Sequence, residues 1–308
     1  MTGVPNPLND PTATRISAGN TEATFLPGHG MLGISLRYKG VEFLRRVDDL
    51  KTYAAKNRTA GIPFLFPWAN RLDGFQYEAA GRGVTLSAHS SVLRYDDNGL
   101  PMHGMMWPHL AWDVVETSAN ALTASFDWLR PECLVVFPYP CRIGMTATVE
   151  DGSLTIETTL SPTSDIAVPI SFGFHPYIGL PTEPRQEWQV SLPPMRHLVL
   201  DQRKIPTGAS SRYPGFHAPL GEQAFDDGFA LIGDQATLSV SGDGFTVMVE
   251  LLENYPYTQV YAPEGQDYLA FEPMTAPTNA LVSGEGLRLV EPGATFGAKF
   301  RFRIADDG

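Results

Sequence analysis

The feature that most constrains this chain is an alternation of apolar and polar side chains with a period of two. In "ATFGAKFRFRIA", Phe296, Ala298, Phe300, Phe302 and Ile304 fall on one face, while Lys299, Arg301 and Arg303 fall on the other. Successive side chains of a strand point to opposite faces, so this segment reads as a half-buried strand. "CRIGMTATVEDGSLTIETTL" repeats the pattern on both sides of Asp151-Gly152, a dipeptide that tolerates the positive φ angles of a tight hairpin. "GISLRYKGVEFLRR" and "ATLSVSGDGFTVMVELL" read as two more hairpins. No long segment carries apolar residues at spacings of three and four between caps, so helical signals are thin. The 26 prolines and 29 glycines fall largely between the alternating runs, where they mark turns and strand ends. The pattern predicts an all-β fold, a large antiparallel β-sandwich. Such folds routinely exceed the usual domain length, and neither a linker nor an internal repeat interrupts the text. We therefore expect a single domain over residues 1–308, with residues 1–15 as a loose N-terminal segment.

Composition narrows the partners. A net charge of −12 repels phosphate backbones and anionic membrane surfaces, which argues against nucleic acid and membrane as partners. No window approaches a membrane-spanning run of apolar residues, and "MTGVPNPLNDPTATRIS" lacks the basic-then-apolar pattern of a secretory leader. Two cysteines, Cys133 and Cys141, are too sparse for a disulfide framework and read as reduced thiols. Together these points predict a cytoplasmic protein.

Phosphate-cradling glycine loops, nucleophile elbows and His-Glu-x-x-His helices are absent, so the text indicates neither a nucleotide cofactor nor a metal. What remains is a set of polar residues embedded in apolar, Pro- or Gly-rich segments. "GIPFLFPWANRLDG" carries Asn70 and Arg71, and "NGLPMHGMMW" carries His103 before Gly104, whose missing side chain would let a ligand approach the backbone. "SFGFHPY" carries His175, "AFDDGFALI" carries Asp226 and Asp227, and "YLAFEPMTAPTNAL" carries Glu272. Taken singly, each has a plain structural reading: a satisfied core histidine, a turn aspartate, a surface arginine. Glu272 is the hardest to dismiss, because an ionised carboxylate between Phe271 and Pro273 is costly to bury without partners. Trp68, Trp107, Phe174, Tyr177 and Phe229 suit either a core or the C–H faces of a sugar.

Taken in order, these segments resemble the aldose 1-epimerase family, also called galactose mutarotases. The Asn70-Arg71 pair followed by Asp73-Gly74, then "NGLPMHG", "GFHPY", "FDDGF" and "FEPMTAP", is similar to that family's ordered signature. The closing "VEPGATFGAKFRFRI" resembles its final strands, so the likeness runs from about residue 25 to the C-terminus. The resemblance implies the galactose mutarotase-like supersandwich, a large β-sandwich, in agreement with the strand reading. It also implies an isomerase that interconverts the α and β anomers of a hexose. Glu272 would be the general base, His175 the general acid, and Asn70, Arg71, His103 and Asp226 would bind the sugar, Asp226 being preferred to Asp227. A small-molecule sugar is the implied partner, and no cofactor or metal is called for.

The chemistry fits those residue types. Anomers interconvert when the anomeric hydroxyl loses a proton and the ring oxygen gains one, which opens the ring; rotation and reversal close it again. A base and an acid suffice, each positioned transfer contributing a factor of about 10² to 10⁴. Glutamate, ordinarily near pKa 4.3, and histidine, near 6.5, supply these roles, and a nearby carboxylate is expected to raise the histidine's pKa. Both residues precede proline, which restricts the backbone to extended geometry and predicts that the two side chains converge in one cleft. Within the same fold, a mutarotase for an anionic sugar, a hexose 6-phosphate or a sulfonated hexose, would need an arginine or lysine cluster at one end of the pocket. The resemblance implies that the hexose 6-phosphate branch ends the "PW" segment differently, so the intact "PWANR" favours a neutral sugar or the general branch and leaves a sulfonated sugar open. A noncatalytic carbohydrate-binding sandwich would not require the acid and base together, and a metal-dependent hydrolase is a weaker alternative.

Overall fold

A computed structural model describes residues 6–45, 47 and 49–306. Two large antiparallel sheets dominate it. The nine-stranded sheet runs, in spatial order, Asp113–Thr117, Ala121–Trp128, Cys141–Glu150, Ser153–Pro162, Phe296–Asp306, Phe245–Glu253, Ala236–Gly242, Gln189–Leu192 and Phe216–Pro219. The seven-stranded sheet runs Pro206–Tyr213, Met195–Leu200, Phe225–Ala230, Tyr257–Ala262, Ala270–Met274, Gly173–Phe174 and Phe64–Leu65. A four-stranded sheet, from Thr14–Ala18 to Val41–Glu42, carries the N-terminal part of the described chain. The α-helices among the described residues, Leu50–Ala55, Pro131–Val136 and Ala280–Ser283, are short. None is long and apolar enough to cross a membrane.

The period-two segments form strands as their patterns dictate. In Phe296–Asp306, Ala298, Phe300, Phe302 and Ile304 are buried, whereas Arg301 and Arg303 turn outward and pair with Glu250 at 2.5 and 3.6 Å. Cys141–Glu150 and Ser153–Pro162 pair across Asp151-Gly152, and Gly152 takes the left-handed φ of 78° that a side chain would disfavour. Leu32–Tyr38 pairs with Val41–Glu42, and Ala236–Gly242 pairs with Phe245–Glu253. Both cysteines are buried and free.

The two large sheets meet through aromatic side chains, Phe174 against Phe300 at 4.9 Å and Phe172 against Phe296 at 6.0 Å. This interior is apolar, so the same strands must place their polar residues on the opposite face. The N-terminal segment expected to be loose includes residues that can be described. Asp10 is buried, accepts hydrogen bonds from the Thr12 N–H and hydroxyl, and lies 3.2 Å from His29. Residues 1–5 of that expectation lie outside the described residues.

Candidate active site

The polar face of the seven-stranded sheet is built by register. Glu272 sits opposite Gln259, Gln259 opposite Gly228, and Tyr261 opposite Asp226, so Asp226, Gln259, Tyr261 and Glu272 project to one side. Val260, Phe271 and Phe229 alternate to the other side and join the core. The same alternation separates the two aspartates. Asp226 faces the polar side and accepts from Gln259 Nε2 at 2.8 Å, whereas Asp227 pairs with His197 Nε2 at 2.9 Å. His175 follows the strand Gly173–Phe174, whose Gly173 pairs with Met274 in the strand of Glu272. That adjacency brings His175 Nε2 to 3.2 Å from Glu272 Oε1.

Two neighbouring segments close the site from above. Asn70 and His103 both adopt left-handed backbone conformations, with φ of 59° and 64°. They lock together: the His103 N–H donates to the Asn70 carbonyl at 2.8 Å, and the Asn70 N–H donates to His103 Nδ1 at 3.2 Å. The second bond requires Nδ1 to be unprotonated, which leaves Nε2 of His103 as the N–H of the neutral ring. Arg71 donates to Asn70 Oδ1 at 3.0 Å and to Asp96 Oδ2 at 2.8 Å. Gly104 serves a different purpose from the one its position suggests. A Cβ there would lie 2.2 Å from the Phe66 carbonyl oxygen, so glycine is required by backbone packing rather than by ligand approach.

Asn70, Arg71, His103, His175, Asp226 and Glu272 all line one cavity of about 530 Å³, within the range of small-molecule sites. Of the aromatics singled out in the sequence, Tyr177 lines this cavity and stacks on His175 at 4.4 Å. Trp68, Trp107, Phe174 and Phe229 are core. Tyr261 and Tyr268 add aromatic walls that sequence reasoning does not reach. Nor does it reach Asp96, whose "DDNG" text is legible only as a turn. Its Oδ1 accepts from the Asn98 and Leu100 N–H groups while Oδ2 holds Arg71. Gln259 carried a signal, being an amide within the otherwise apolar and aromatic "YTQVYA".

Electrostatics correct one expectation. The carboxylate beside His175 does not raise the histidine; burial, with the Arg94 charge adding to it, drives the imidazole down to about 3. Burial also drives Glu272 well above the usual carboxyl range, with Asp226 adding to it and Arg71 opposing. Desolvation penalises both charges more strongly than either relieves the other. His103 is likewise lowered, chiefly by burial and then by His175, which keeps it neutral, as its acceptor role at Nδ1 requires. At Asp96, burial acts upward but is outweighed by the hydrogen bonds from Leu100 and Arg71, so the carboxyl stays below its ordinary value. Glu272 Oε2 and His175 Nδ1 are buried without a hydrogen-bond partner. Buried polar atoms rarely stay unpaired, so these two are open to a hydrogen-bonding guest. Among the described residues, no group of three or more His, Cys, Asp or Glu side chains is placed to hold a metal ion.

Comparison with known proteins places these observations in a lineage. A galactose mutarotase-like protein from Clostridium acetobutylicum superimposes with a TM-score of 0.80 at 19% identity, covering 96% of this chain and 95% of that one. The GalM/aldose epimerase homologue of C. elegans gives 0.78 at 16% identity, covering 96% of this chain and 100% of that one. At these identities the likeness establishes a shared fold, the galactose mutarotase-like sandwich. In sequence, the chain is 24% identical over 239 residues to the uncharacterized protein YihR of Escherichia coli K12, spanning 74% of each. The aldose 1-epimerase family model matches residues 15–303, and the chain belongs to that family.

Proposed function

We propose that this protein interconverts the α and β anomers of a hexopyranose, with Glu272 as the base at the anomeric hydroxyl and His175 as the acid at the ring oxygen. The observation that carries this reading is the 3.2 Å approach of a buried imidazole and a buried carboxyl within a sugar-sized cavity. The pair needs a single proton. In one arrangement it is a carboxylic acid beside a neutral imidazole; in the other it is a carboxylate beside an imidazolium, and burial favours the first. A bound sugar gives each group a hydrogen bond of its own in place of the contact that they make with each other. Its hydroxyls stabilise the charged arrangement, which is the one able to act. Glu272 then takes the anomeric proton while His175 gives its proton to the ring oxygen. The C1–O5 bond breaks, the aldehyde forms, rotation about C1–C2 presents its other face, and the transfers run backward to close the ring. Atoms and charge balance without a co-reactant.

The other lining groups have positioning roles in this reading. Asp226, held by Gln259, and Arg71, held by Asp96 and Asn70, offer an acceptor and a donor to sugar hydroxyls. Neutral His103 offers its Nε2 proton. Tyr177 keeps the His175 ring in plane by stacking on it. Polarimetry on freshly dissolved pure anomers tests the assignment. The wild type should accelerate optical relaxation of at least one hexose, and Glu272→Gln and His175→Asn should each lose about 10² to 10⁴ of that rate while remaining folded. Acceleration that survives both substitutions would overturn the assignment, and binding without acceleration would mark a noncatalytic sugar-binding protein.

A further inference from the structure

We infer that Lys204, at the tip of a hairpin, selects the hexose by its C2 hydroxyl, which it holds together with Asp226; the inference rests on the anomerisation reading of the same site. The hairpin joins Met195–Leu200 to Pro206–Tyr213, and its tip is folded around Asp201. The Asp201 carboxylate accepts from the Arg203 N–H at 2.8 Å and from the Ile205 N–H at 2.9 Å. The Asp201 N–H donates to the Ile205 carbonyl at 2.8 Å, and Lys204 takes a left-handed φ of 65°. Ile205 is buried, and Arg203 pairs at 2.6 Å with Asp73, two residues beyond Arg71. These ties hold Lys204 in the wall of the cavity without engaging its ammonium.

That ammonium faces a carboxylate with one oxygen to spare. Lys204 Nζ stands 3.6 Å from Asp226 Oδ2, while Asp226 Oδ1 accepts from Gln259 Nε2 at 2.8 Å. A separation of 3.6 Å is longer than a direct hydrogen bond, so the two charges attract without closing on each other. A hydroxyl has one proton to give and two lone pairs to offer. Its oxygen, about 2.8 Å from both groups, donates to Asp226 and accepts from Lys204, satisfying both charges at once. A hydrogen atom in its place satisfies neither. An ammonium could donate to Asp226 but has no lone pair for Lys204, whose charge repels it.

Strand order decides which hydroxyl this is. Beside Gly173–Phe174, the strand that His175 follows, lies the strand of Glu272, then that of Gln259 and Tyr261, then that of Asp226. Acid, base and the Lys204–Asp226 pair therefore occupy the cavity in that sequence. A pyranose has its atoms in a matching sequence, O5, C1, C2. With O5 at His175 and the C1 hydroxyl at Glu272, the next oxygen away from the acid is the one on C2. It keeps its place in both anomers and in the open aldehyde, so a grip on C2 holds the sugar while C1 rotates and the ring recloses. The substrate class that follows is an aldohexose with a free C2 hydroxyl, in preference to a 2-deoxy or 2-amino sugar.

Anomer exchange rates measured by NMR above the spontaneous rate, together with calorimetric titration, test the inference on glucose, 2-deoxyglucose and glucosamine, and on the corresponding galactose series, at mildly acidic pH, where the amine is charged. In the wild type, loss of the C2 hydroxyl should lower kcat/KM by about tenfold or more, the scale of hydrogen bonds to charged groups. Lys204→Gln should lower kcat/KM for the parent hexose by about three- to tenfold, leave the 2-deoxy sugar within about twofold, and raise the amino sugar. Lys204 is exposed, so its variant should keep the fold. Equal losses on the parent and 2-deoxy sugars, no loss on either, or an amino sugar that gains nothing from the substitution would overturn the inference. Lys204-dependent discrimination in affinity without catalysed exchange would keep the contact and sink the isomerase reading; catalysed exchange indifferent to C2 would do the reverse.

Discussion

His175 Nε2 lies 3.2 Å from Glu272 Oε1, and both side chains are buried. Burial pushes the imidazole down and the carboxyl up, so the two groups behave as one unit that keeps a single proton across a broad interval. The unit gains a second proton only well below the ordinary histidine value and loses its last only well above the ordinary carboxyl value.

The rate should therefore be nearly independent of pH around neutrality. Across the ordinary histidine value of 6.5, kcat/KM for the preferred sugar is expected to change by less than about twofold. A half-maximal point at that value in a pH–rate profile would contradict the one-proton unit.

Stability should carry the same imprint. The raised Glu272 means that the folded state holds a proton the unfolded chain has lost above 4.5, so this group lowers stability as pH rises. The depressed His175 means that the unfolded chain holds a proton the folded state lacks below 6.5, so this group raises stability as pH rises toward that value. The two slopes oppose each other as pH rises from 4.5, and His175 contributes none above 6.5. Thermal denaturation followed upward from pH 4.5 should show Glu272→Gln losing less stability with rising pH, or gaining more, than wild type. Parallel curves would be inconsistent with a raised Glu272.

The two adjacent aspartates should separate cleanly. Asp226→Asn, which alters the partner of Gln259 in the cavity, is expected to reduce kcat/KM by about tenfold, the scale of one charged hydrogen bond. Asp227→Asn, whose partner is His197, should change kcat/KM by less than about twofold, because its side chain projects from the other face of the sheet. Steady-state kinetics on both variants decides the matter, and equal losses would mean that the alternation has been misassigned.

Asp96→Asn retains an oxygen for the turn at Leu100 but removes the charge that anchors Arg71. The expected effect is a rise in KM of several- to about tenfold with a smaller change in kcat, as for a group that positions a binding residue. A pure loss of kcat would instead place Arg71 at the reacting atoms.

Gly104→Ala should destabilise the fold by about 2–5 kcal/mol, because a left-handed φ and overlap with a backbone oxygen act together. Chemical denaturation measures this directly. A neutral effect would show that Phe66 can retreat.

The sheets were legible because half-buried strands write themselves with a period of two: the hairpin at Asp151-Gly152 and the strand Phe296–Asp306 need only that rule. The polar cluster was legible as interruptions of apolar text, and family likeness ordered it. What the text hid is contact between distant segments. Nothing near Asp96 says that it grips Arg71, and nothing near Arg45, Arg58 or Arg94 says that they share a cavity. The downward shift of His175 was also hidden, since a carboxylate neighbour can be guessed from sequence but complete desolvation cannot.

His175 and Glu272, the pair proposed to move protons, sit beside and within the paired strands of a sheet, whereas Arg45 and Arg58, which line the same cavity, belong to segments outside them. Strand register tolerates little alteration, but loops accept substitution cheaply. One lineage can thus exchange its clientele by rewriting a few exposed positions, leaving the reaction itself untouched, and a designer seeking a new sugar should begin at the rim and spare the floor.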